Sequence, residues 1–193
     1  YNLNGGTLNI GGNIASGDGS GTFNLDGGTL NVTGSSITLD YFYIGKAAGS
    51  NGSFTLVSGK TLMATYEYIG TFGTGAFTQT GGTNTVGTLI INNGAYTLSG
   101  GTLTVGISMD NGGVFNLAGG TLTGGGALAN NGLFSGFGTI AGSGGFINNG
   151  LLTQSGGNLT LANSGANANY GNMDLAGGCQ LKLSGATLNN SGT

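Results

Sequence analysis

The sequence predicts an all-β fold, a parallel β-solenoid in which each coil of chain stacks on the coil before it. Residues 94–112, GAYTLSGGTLTVGISMDNG, recur as GVFNLAGGTLTGGGALANN in residues 113–131. A fixed period of this kind indicates a repeat architecture. Within each copy, apolar residues alternate with small polar ones, as in Tyr96-Thr97-Leu98, which is typical of strands with one buried face. Gly-Gly and Asn-Asn-Gly separate the strands and suit sharp corners, because glycine adopts positive φ without steric cost.

The repeat runs through the whole chain and predicts about nine coils of roughly 19–23 residues in a single domain, residues 1–193. Two irregular stretches, near 46–52 and 162–172, interrupt the period without ending it, and we expect loops there. The first fits either a loop that bulges from one coil or an added short strand pair. One coil cannot bury its own apolar face, so stacking creates the core. The chirality of parallel crossovers favours a right-handed solenoid. An aromatic or apolar residue marks each copy: Tyr1, Phe23, Phe54, Phe77, Tyr96, Phe115, Phe134, Leu152 and Met173.

Stacking places equivalent side chains above one another, and the sequence therefore predicts ladders along the axis. We expect Gln79 and Gln154, which replace leucine in the pattern, at corners that face solvent. The predicted aromatic core ladder comprises Phe23, Phe54, Phe77, Tyr96, Phe115 and Phe134. The predicted aliphatic ladder comprises Leu30, Leu62, Leu103, Leu122 and Leu159. An amide ladder is predicted for Asn92, Asn111, Asn130 and Asn148, each four residues before a marker.

The composition excludes several classes of function. The chain has three Lys, no Arg, no His and a net charge of −3, so it lacks the clustered cations that a nucleic-acid-binding protein needs. Lyases and hydrolases need paired carboxylates or a base with cationic partners. The aligned copies put Asp26, Asp40, Asp110 and Asp174 at different positions in their coils. The sequence thus predicts no catalytic residues, no metal site and no cofactor.

The remaining sequence features concern disulfides and membranes. Cys179 is the only cysteine and cannot form an intrachain disulfide. No apolar run approaches the roughly 18–20 residues that cross a bilayer, so no membrane span is predicted.

One surface pattern is regular. If Leu103 and Leu122 point inward, the threonines beside them point outward on one flat face. This Thr-x-Thr array fits a module that binds ice or a neutral glycan, although threonine is also simply a good exposed strand residue. The array comprises Thr83, Thr85, Thr102, Thr104, Thr121 and Thr123.

The two ends of the sequence complement each other. Residues 191–193 followed by residues 1–7 read SGTYNLNGGT, and the internal copy at 20–29 reads SGTFNLDGGT. Uncapped parallel edges invite another chain, and a head-to-tail contact that does not close makes a filament. We therefore expect copies of the chain to stack end to end. The expected interface comprises Tyr1, Leu3, Thr7 and Leu8 on one side and Leu181, Leu183 and Leu188 on the other.

Several segments resemble known bacterial repeats. SGGTLTV (99–105), AGGTLTG (118–124) and GGNLTLANSGAN (156–167) resemble the autotransporter-associated β-strand repeat. YIGKAAGSNGSFTL (43–56) and YIGTFGTGAFTQTGGT (68–83) are similar to repeats of large secreted bacterial proteins. The resemblance implies a right-handed β-helix exported to the bacterial cell surface, and it carries over no catalytic residue.

These observations favour a non-enzymatic structural protein, the subunit of an extracellular filament whose partner is another copy of itself. One alternative is a fragment of a longer surface adhesin or autotransporter passenger stalk that contacts a host or cell surface. A further alternative is a module that binds ice or a neutral glycan on its threonine or tyrosine faces.

Overall fold

The protein is a parallel β-solenoid of about nine coils, described by a computed structural model that covers residues 1–193. It contains no helix, and every paired strand runs parallel to its neighbour. The strands are Asn2–Ile10 (β1), Ile14–Ala15 (β2), Thr22–Val32 (β3), Ser36–Ile44 (β4), Asn51–Leu56 (β5), Thr61–Ile69 (β6), Thr74–Gln79 (β7), Thr83–Ile91 (β8), Gly94–Leu98 (β9), Thr102–Asn111 (β10), Val114–Gly124 (β11), Ala127–Asn130 (β12), Leu133–Gly142 (β13), Phe146–Asn148 (β14), Leu151–Gln154 (β15), Leu159–Asn163 (β16), Asn167–Asn169 (β17), Asn172–Leu175 (β18), Leu181–Leu183 (β19) and Leu188–Asn190 (β20).

Each coil has three faces, which the chain visits in a fixed order, and eight of the strands turn a corner and contribute to two of them. Face I comprises 2–4, 22–25, 41–44, 66–69, 88–91, 108–111, 127–130, 146–148, 167–169 and 188–190. Face II comprises 7–10, 29–32, 51–56, 74–79, 94–98, 114–117, 133–136, 151–154 and 172–175. Face III comprises 14–15, 36–39, 61–64, 83–86, 102–105, 121–124, 139–142, 159–163 and 181–183.

Alternation within each strand sends apolar side chains into one continuous core of 31 buried residues. Leu103 pairs with Leu122, and neither side chain reaches solvent. The corners between faces need glycine because successive coils approach closely there. A Cβ added at Gly126 would lie only 1.7 Å from the carbonyl oxygen of Ile107, so no larger residue fits without moving the coil.

The structure corrects the predicted aromatic and aliphatic ladders. Phe23 pairs with Phe42 on face I, whereas Phe54 lies on face II and pairs with Phe77. The interval from Phe23 to Phe54 therefore contains one whole coil plus one additional face, and not a bulged loop. The predicted aliphatic ladder also included Leu30, which lies on face II, and Leu159. The row of Leu103 and Leu122 continues instead through Ile140 to Leu161.

The two predicted loops differ in kind. Near 46–52 a true connection exists, and Asp26 organises it: its Oδ1 accepts hydrogen bonds from the backbone N–H groups of Lys46 and Ala47 (2.9 Å for Ala47) and from Ser50 Oγ (3.1 Å). The predicted irregular stretch 162–172 is instead largely regular. It contains the end of β16, all of β17 and the start of β18, in phase with the coils below it.

One seam interrupts the wall of the rod. On face II, residues 29–32 pair with β1, and β5 pairs with β7, but these two segments do not pair with each other. A cavity of about 60 Å³ lies along the seam, lined by apolar side chains that include Leu30, Val32 and Leu56. Lys60 bridges it, because its Nζ donates to the carbonyl oxygens of Thr33 (2.7 Å) and Gly34 (2.6 Å).

Candidate functional site

The aromatic ladder on face II is the most regular part of the core. Successive ring centroids from Phe54 to Phe134 lie 5.4, 4.5, 5.3 and 5.1 Å apart. The rings from Phe77 to Phe134 stack with nearly parallel planes. Phe23, the remaining member of the predicted ladder, packs edge-on against Phe42 instead. Aromatic pairs of this geometry stabilise the fold beyond the area that they bury.

An asparagine ladder occupies the corner between faces I and II. It starts at Asn111 and continues through Asn130, Asn148 and Asn169 to Asn190, with each Nδ2 donating to the next Oδ1 at 2.6–2.7 Å. Asn92, which the sequence placed in this ladder, is exposed, and the residue that pairs with Asn111 in the coil below is Ile91. The sequence pattern thus located the ladder but misplaced its first member.

The second N–H of these side-chain amides stabilises the corner between faces I and II. Asn111 Nδ2 also donates to the carbonyl oxygen of Leu133 at 2.8 Å, and Asn130 Nδ2 donates to that of Leu151 at 3.1 Å. The accepting carbonyls belong to the first residues of face II in the following coil. Asn111 and Asn130 therefore each donate one hydrogen bond to the next asparagine along the axis and one to a backbone carbonyl at the turn. Buried polar groups need such partners.

A second buried polar cluster lies in the middle of the rod. Asn84 Nδ2 donates to Glu67 Oε2 at 3.0 Å, and Tyr96 Oη donates to Gln79 Oε1 at 2.6 Å. Asn84 Nδ2 also lies 3.2 Å from Tyr96 Oη, which joins the two pairs. All four residues are buried. Sequence analysis missed Glu67, although its place between the outward-facing Tyr66 and Tyr68 gives it an inward position by simple alternation.

The electrostatics of this cluster favour a neutral carboxyl group. Burial raises the pKa of Glu67 from 4.5 to about 7, and the hydrogen bond from Asn84 only partly opposes this. Burial, followed by the charge of Glu67, raises the pKa of Tyr96 well above 10.0. Glu67 Oε1 and Asn84 Oδ1 both lack a hydrogen-bond donor. Protonation turns a carboxylate oxygen of this kind from an acceptor into a donor.

Both predicted solvent-facing glutamines are in fact buried, so that prediction is wrong. Gln79 Nε2 donates to the carbonyl oxygen of Thr102 at 3.0 Å, and Gln154 Nε2 donates to that of Gly157 at 2.9 Å. Each glutamine binds backbone carbonyls at the corner between faces II and III. They act there as the asparagines do at the other corner.

The outward side of face III carries the predicted threonine array. Thr83, Thr102 and Thr121 are in register, and so are Thr85, Thr104 and Thr123. The first row extends further, because Thr61 pairs with Thr83 and Thr139 pairs with Thr121. The second row ends at Met63 and Ala141. The structure therefore brings all six predicted threonines together on one side of the rod.

Face I carries an outward tyrosine cluster whose residues the sequence analysis did not name. Tyr41 stacks on Tyr66 with ring centroids 5.1 Å apart, and Tyr43 stacks on Tyr68 at 4.6 Å. Lys46 Nζ lies 4.1 Å from the centre of the Tyr43 ring, a cation–π contact. The signal was present in the repeated segments YFYIG (41–45) and YEYIG (66–70).

The residues predicted for the assembly interface lie at the two ends of the rod. Leu3 is buried, Leu8 is half-buried, and Tyr1 and Thr7 are exposed. At the other end, Leu181 and Leu188 are half-buried. Leu183 is 50 % exposed, whereas Leu161, its partner in the coil below, is 1 % exposed.

Comparison with known proteins finds no matching family, no similar curated protein and no similar solved structure. The structure also has no helix that is long and apolar enough to cross a membrane.

Proposed function

We propose that the chain is a non-catalytic structural protein, the subunit of an extracellular filament that grows by stacking coil on coil. The observation that carries this proposal is the repetition of one coil geometry along the rod. Equivalent residues of successive coils lie in register, as Thr102, Leu103 and Thr104 lie on Thr121, Leu122 and Thr123. A coil of a second copy that joins such a stack would bury apolar surface, worth about 25 cal/mol per Å², and would pair its backbone groups in a further parallel ladder.

The ionisable groups support a structural role. Asp26 orders the loop after β4, and Asp40 Oδ2 accepts the backbone N–H of Gly21 at 2.6 Å. Glu67 belongs to the buried cluster. Extracellular placement at a bacterial surface rests on the resemblance of the repeats to the autotransporter-associated family.

The test compares the chain with an edge-blocked variant over a range of concentrations. The carbonyl oxygen of Ile10 accepts a hydrogen bond from the backbone N–H of Thr33, the residue just after β3, so Asn9, one residue earlier, directs its backbone groups away from β3. Asn9→Pro combined with Asn2→Lys removes an outward donor and adds charge at the edge. Thr104→Lys in a middle coil is the matched control.

We expect filaments by electron microscopy, and sedimenting oligomers, for the unaltered chain and for Thr104→Lys, but monomers for the edge-blocked variant. An unaltered chain that stays monomeric at every concentration would contradict self-assembly. The same stacking would then favour a stalk built from the coils of one longer chain.

A further inference from the structure

We propose that the outward tyrosine cluster of face I is an oxidative cross-linking site, at which hydrogen peroxide and a haem peroxidase join neighbouring coils through dityrosine. The cluster comprises Tyr41 and Tyr43 on β4 and Tyr66 and Tyr68 on β6. The reaction takes place within one copy of the chain, so it does not depend on filament assembly. Three observations carry it: the spacing of the rings, their separation from the other tyrosines, and their partial exposure.

Strand pairing arranges the four tyrosines as two pairs along the rod axis. Tyr41 is the register partner of Tyr66, and Tyr43 is the register partner of Tyr68. The residue between the two tyrosines of each strand is buried, so alternation directs all four tyrosine side chains outward. The strands β4 and β6 pair on face I and on face III, which fixes the backbone that carries the rings.

The closest rings belong to different coils. The ring centroids of Tyr43 and Tyr68 lie 4.6 Å apart with an interplanar angle of 8°, and those of Tyr41 and Tyr66 lie 5.1 Å apart with an angle of 7°. Within each strand the two tyrosine centroids are 6.3 Å apart. The nearest phenol partner of each ring is therefore the one that strand stacking supplies.

The other three tyrosines of the chain have no tyrosine neighbour. Tyr1 stacks on Phe23, and Tyr96 is completely buried within the phenylalanine ladder. Tyr170 is exposed, and no aromatic ring stacks on it. All tyrosine–tyrosine contacts of the chain therefore lie within the cluster on face I.

The surroundings of the cluster keep the phenols ordered and within reach of solvent. All four tyrosines are half-buried. Lys46 Nζ, 4.1 Å from the centre of the Tyr43 ring, restrains that ring by a cation–π contact. Burial, followed by the neighbouring Tyr68 and Tyr41, raises the pKa of Tyr43 above its ordinary value of 10.0. The phenol is therefore protonated at neutral pH, and its oxidation releases the hydroxyl proton to solvent together with the electron.

The chemistry of the cross-link balances with one peroxide for each bond. Two phenols each lose one electron and one proton and become phenoxyl radicals, while hydrogen peroxide takes up two electrons and two protons and becomes two molecules of water. The radicals then pair to form a carbon–carbon bond between the ring carbons beside the hydroxyls. Each of these carbons loses its hydrogen as a proton, and each oxygen regains one. Because the two rings are held together before oxidation, pairing is intramolecular and avoids the entropy cost of an encounter between chains.

The bond would reinforce the stacking of two coils. A dityrosine between Tyr43 and Tyr68 ties β4 to β6 independently of the hydrogen bonds of the ladder. It also closes the loop between these residues in the unfolded chain, which raises stability as other covalent cross-links do. A second bond between Tyr41 and Tyr66 would act on the same two coils.

The test oxidises the dilute folded chain with a haem peroxidase and a limiting amount of hydrogen peroxide. The product is then denatured, digested with trypsin and examined by mass spectrometry. Trypsin cleaves after Lys46 and Lys60, so the two halves of the cluster fall on different peptides unless a dityrosine joins them. An equal mixture of isotopically light and heavy chains distinguishes bonds within one chain from bonds between chains.

We expect joined peptides of a single isotope that have lost two hydrogen atoms, together with dityrosine fluorescence. The initial rate of cross-linking should be at least about tenfold greater for the folded chain than for the same chain unfolded in urea. The oxidised protein should also unfold at a higher denaturant concentration than the untreated protein.

Paired substitutions assign the bond to the cluster. Tyr66→Phe combined with Tyr68→Phe keeps the rings and removes the phenols of β6, so it should abolish the joined peptides. Tyr41→Phe combined with Tyr43→Phe removes the phenols of β4 and should give the same loss. Tyr170→Phe is the matched control and should leave the yield unchanged.

Several results would overturn the inference. They are the absence of joined peptides from the unaltered chain, joined peptides that persist in both double variants or contain both isotopes, and equal rates in the folded and unfolded chains. Oxidation that only adds oxygen to methionine, as at the exposed Met63, would also contradict it. Each of these results leaves the proposed filament standing, because electron microscopy of unoxidised protein tests assembly separately.

Discussion

At the scale of single residues, Glu67 is the side chain whose environment departs most from the surrounding core. Its carboxyl group is buried, and one of its two oxygens has no donor. The folded state holds the proton more tightly than the unfolded state does, since the pKa rises from 4.5 to about 7. The stabilising contribution is therefore present in full below pH 4.5 and is lost as the pH rises toward 7.

We predict that the free energy of unfolding falls by about 3 kcal/mol between pH 4.5 and pH 8 through this one group. Glu67→Gln keeps the shape, stays neutral and should remove most of the slope, so that the variant is the more stable protein at pH 8. Denaturant midpoints measured across this range test the prediction. Parallel curves for the two proteins would show that Glu67 is not the group responsible.

A substitution at Phe115 tests the aromatic ladder. Its ring lies between Tyr96 at 5.3 Å and Phe134 at 5.1 Å and is completely buried. Phe115→Ala should lower stability by about 3–5 kcal/mol because it leaves a cavity that rigid neighbours cannot fill. Thr123→Ala, on the outer surface of face III, should cost less than about 0.5 kcal/mol. Equal shifts of the denaturant midpoint would mean that the strand alternation is wrong.

At the scale of elements, the asparagine ladder shows how polar side chains can hold a corner together. Replacing Asn130 breaks bonds to Asn111, Asn148 and the carbonyl of Leu151, and it leaves buried partners unsatisfied. We predict a loss of about 2–4 kcal/mol for Asn130→Ala, since each unsatisfied buried group costs about 1–3 kcal/mol.

Asn149→Ala is the matched control for this prediction. Its side chain makes one exposed bond to Asn131 at 2.8 Å, so the substitution should change stability by less than about 1 kcal/mol. Thermal or denaturant unfolding of both variants provides the comparison. Similar losses in the two proteins would argue against a ladder that acts as a structural element.

The elements also show what the sequence could and could not reveal. Alternation and the 19-residue period predicted the strands, the stacking and most of the ladders, because these depend on pattern alone. The face of Phe23 was mistaken because an insertion looks the same in sequence whether it forms a loop or an additional side. Gln79 and Gln154 were misplaced because residue type alone does not reveal a backbone carbonyl that a distant coil brings near.

At the scale of the whole molecule, the chain has long flat faces and few ionisable side chains. We predict no hydrolase or lyase activity, because the chain has no His and no Arg and its aspartates are dispersed over the coils. The measurement is the release of reducing ends from neutral and acidic polysaccharides. Turnover that survives repurification of the protein would contradict the prediction.

The unpaired seam on face II divides the rod unequally. Below it, the first coils are joined to the rest through two of the three ladders, on faces I and III. Opening that boundary breaks fewer backbone hydrogen bonds than opening any boundary in the middle coils, so residues 1–32 should unfold and refold as a unit of their own.

Amide hydrogen exchange should show β1 and the face II part of β3 exchanging together and well ahead of β9 to β13. Under tension along the axis, the rod should open first at this boundary. The opening should lower the force on the coils above the seam, so that they stay folded.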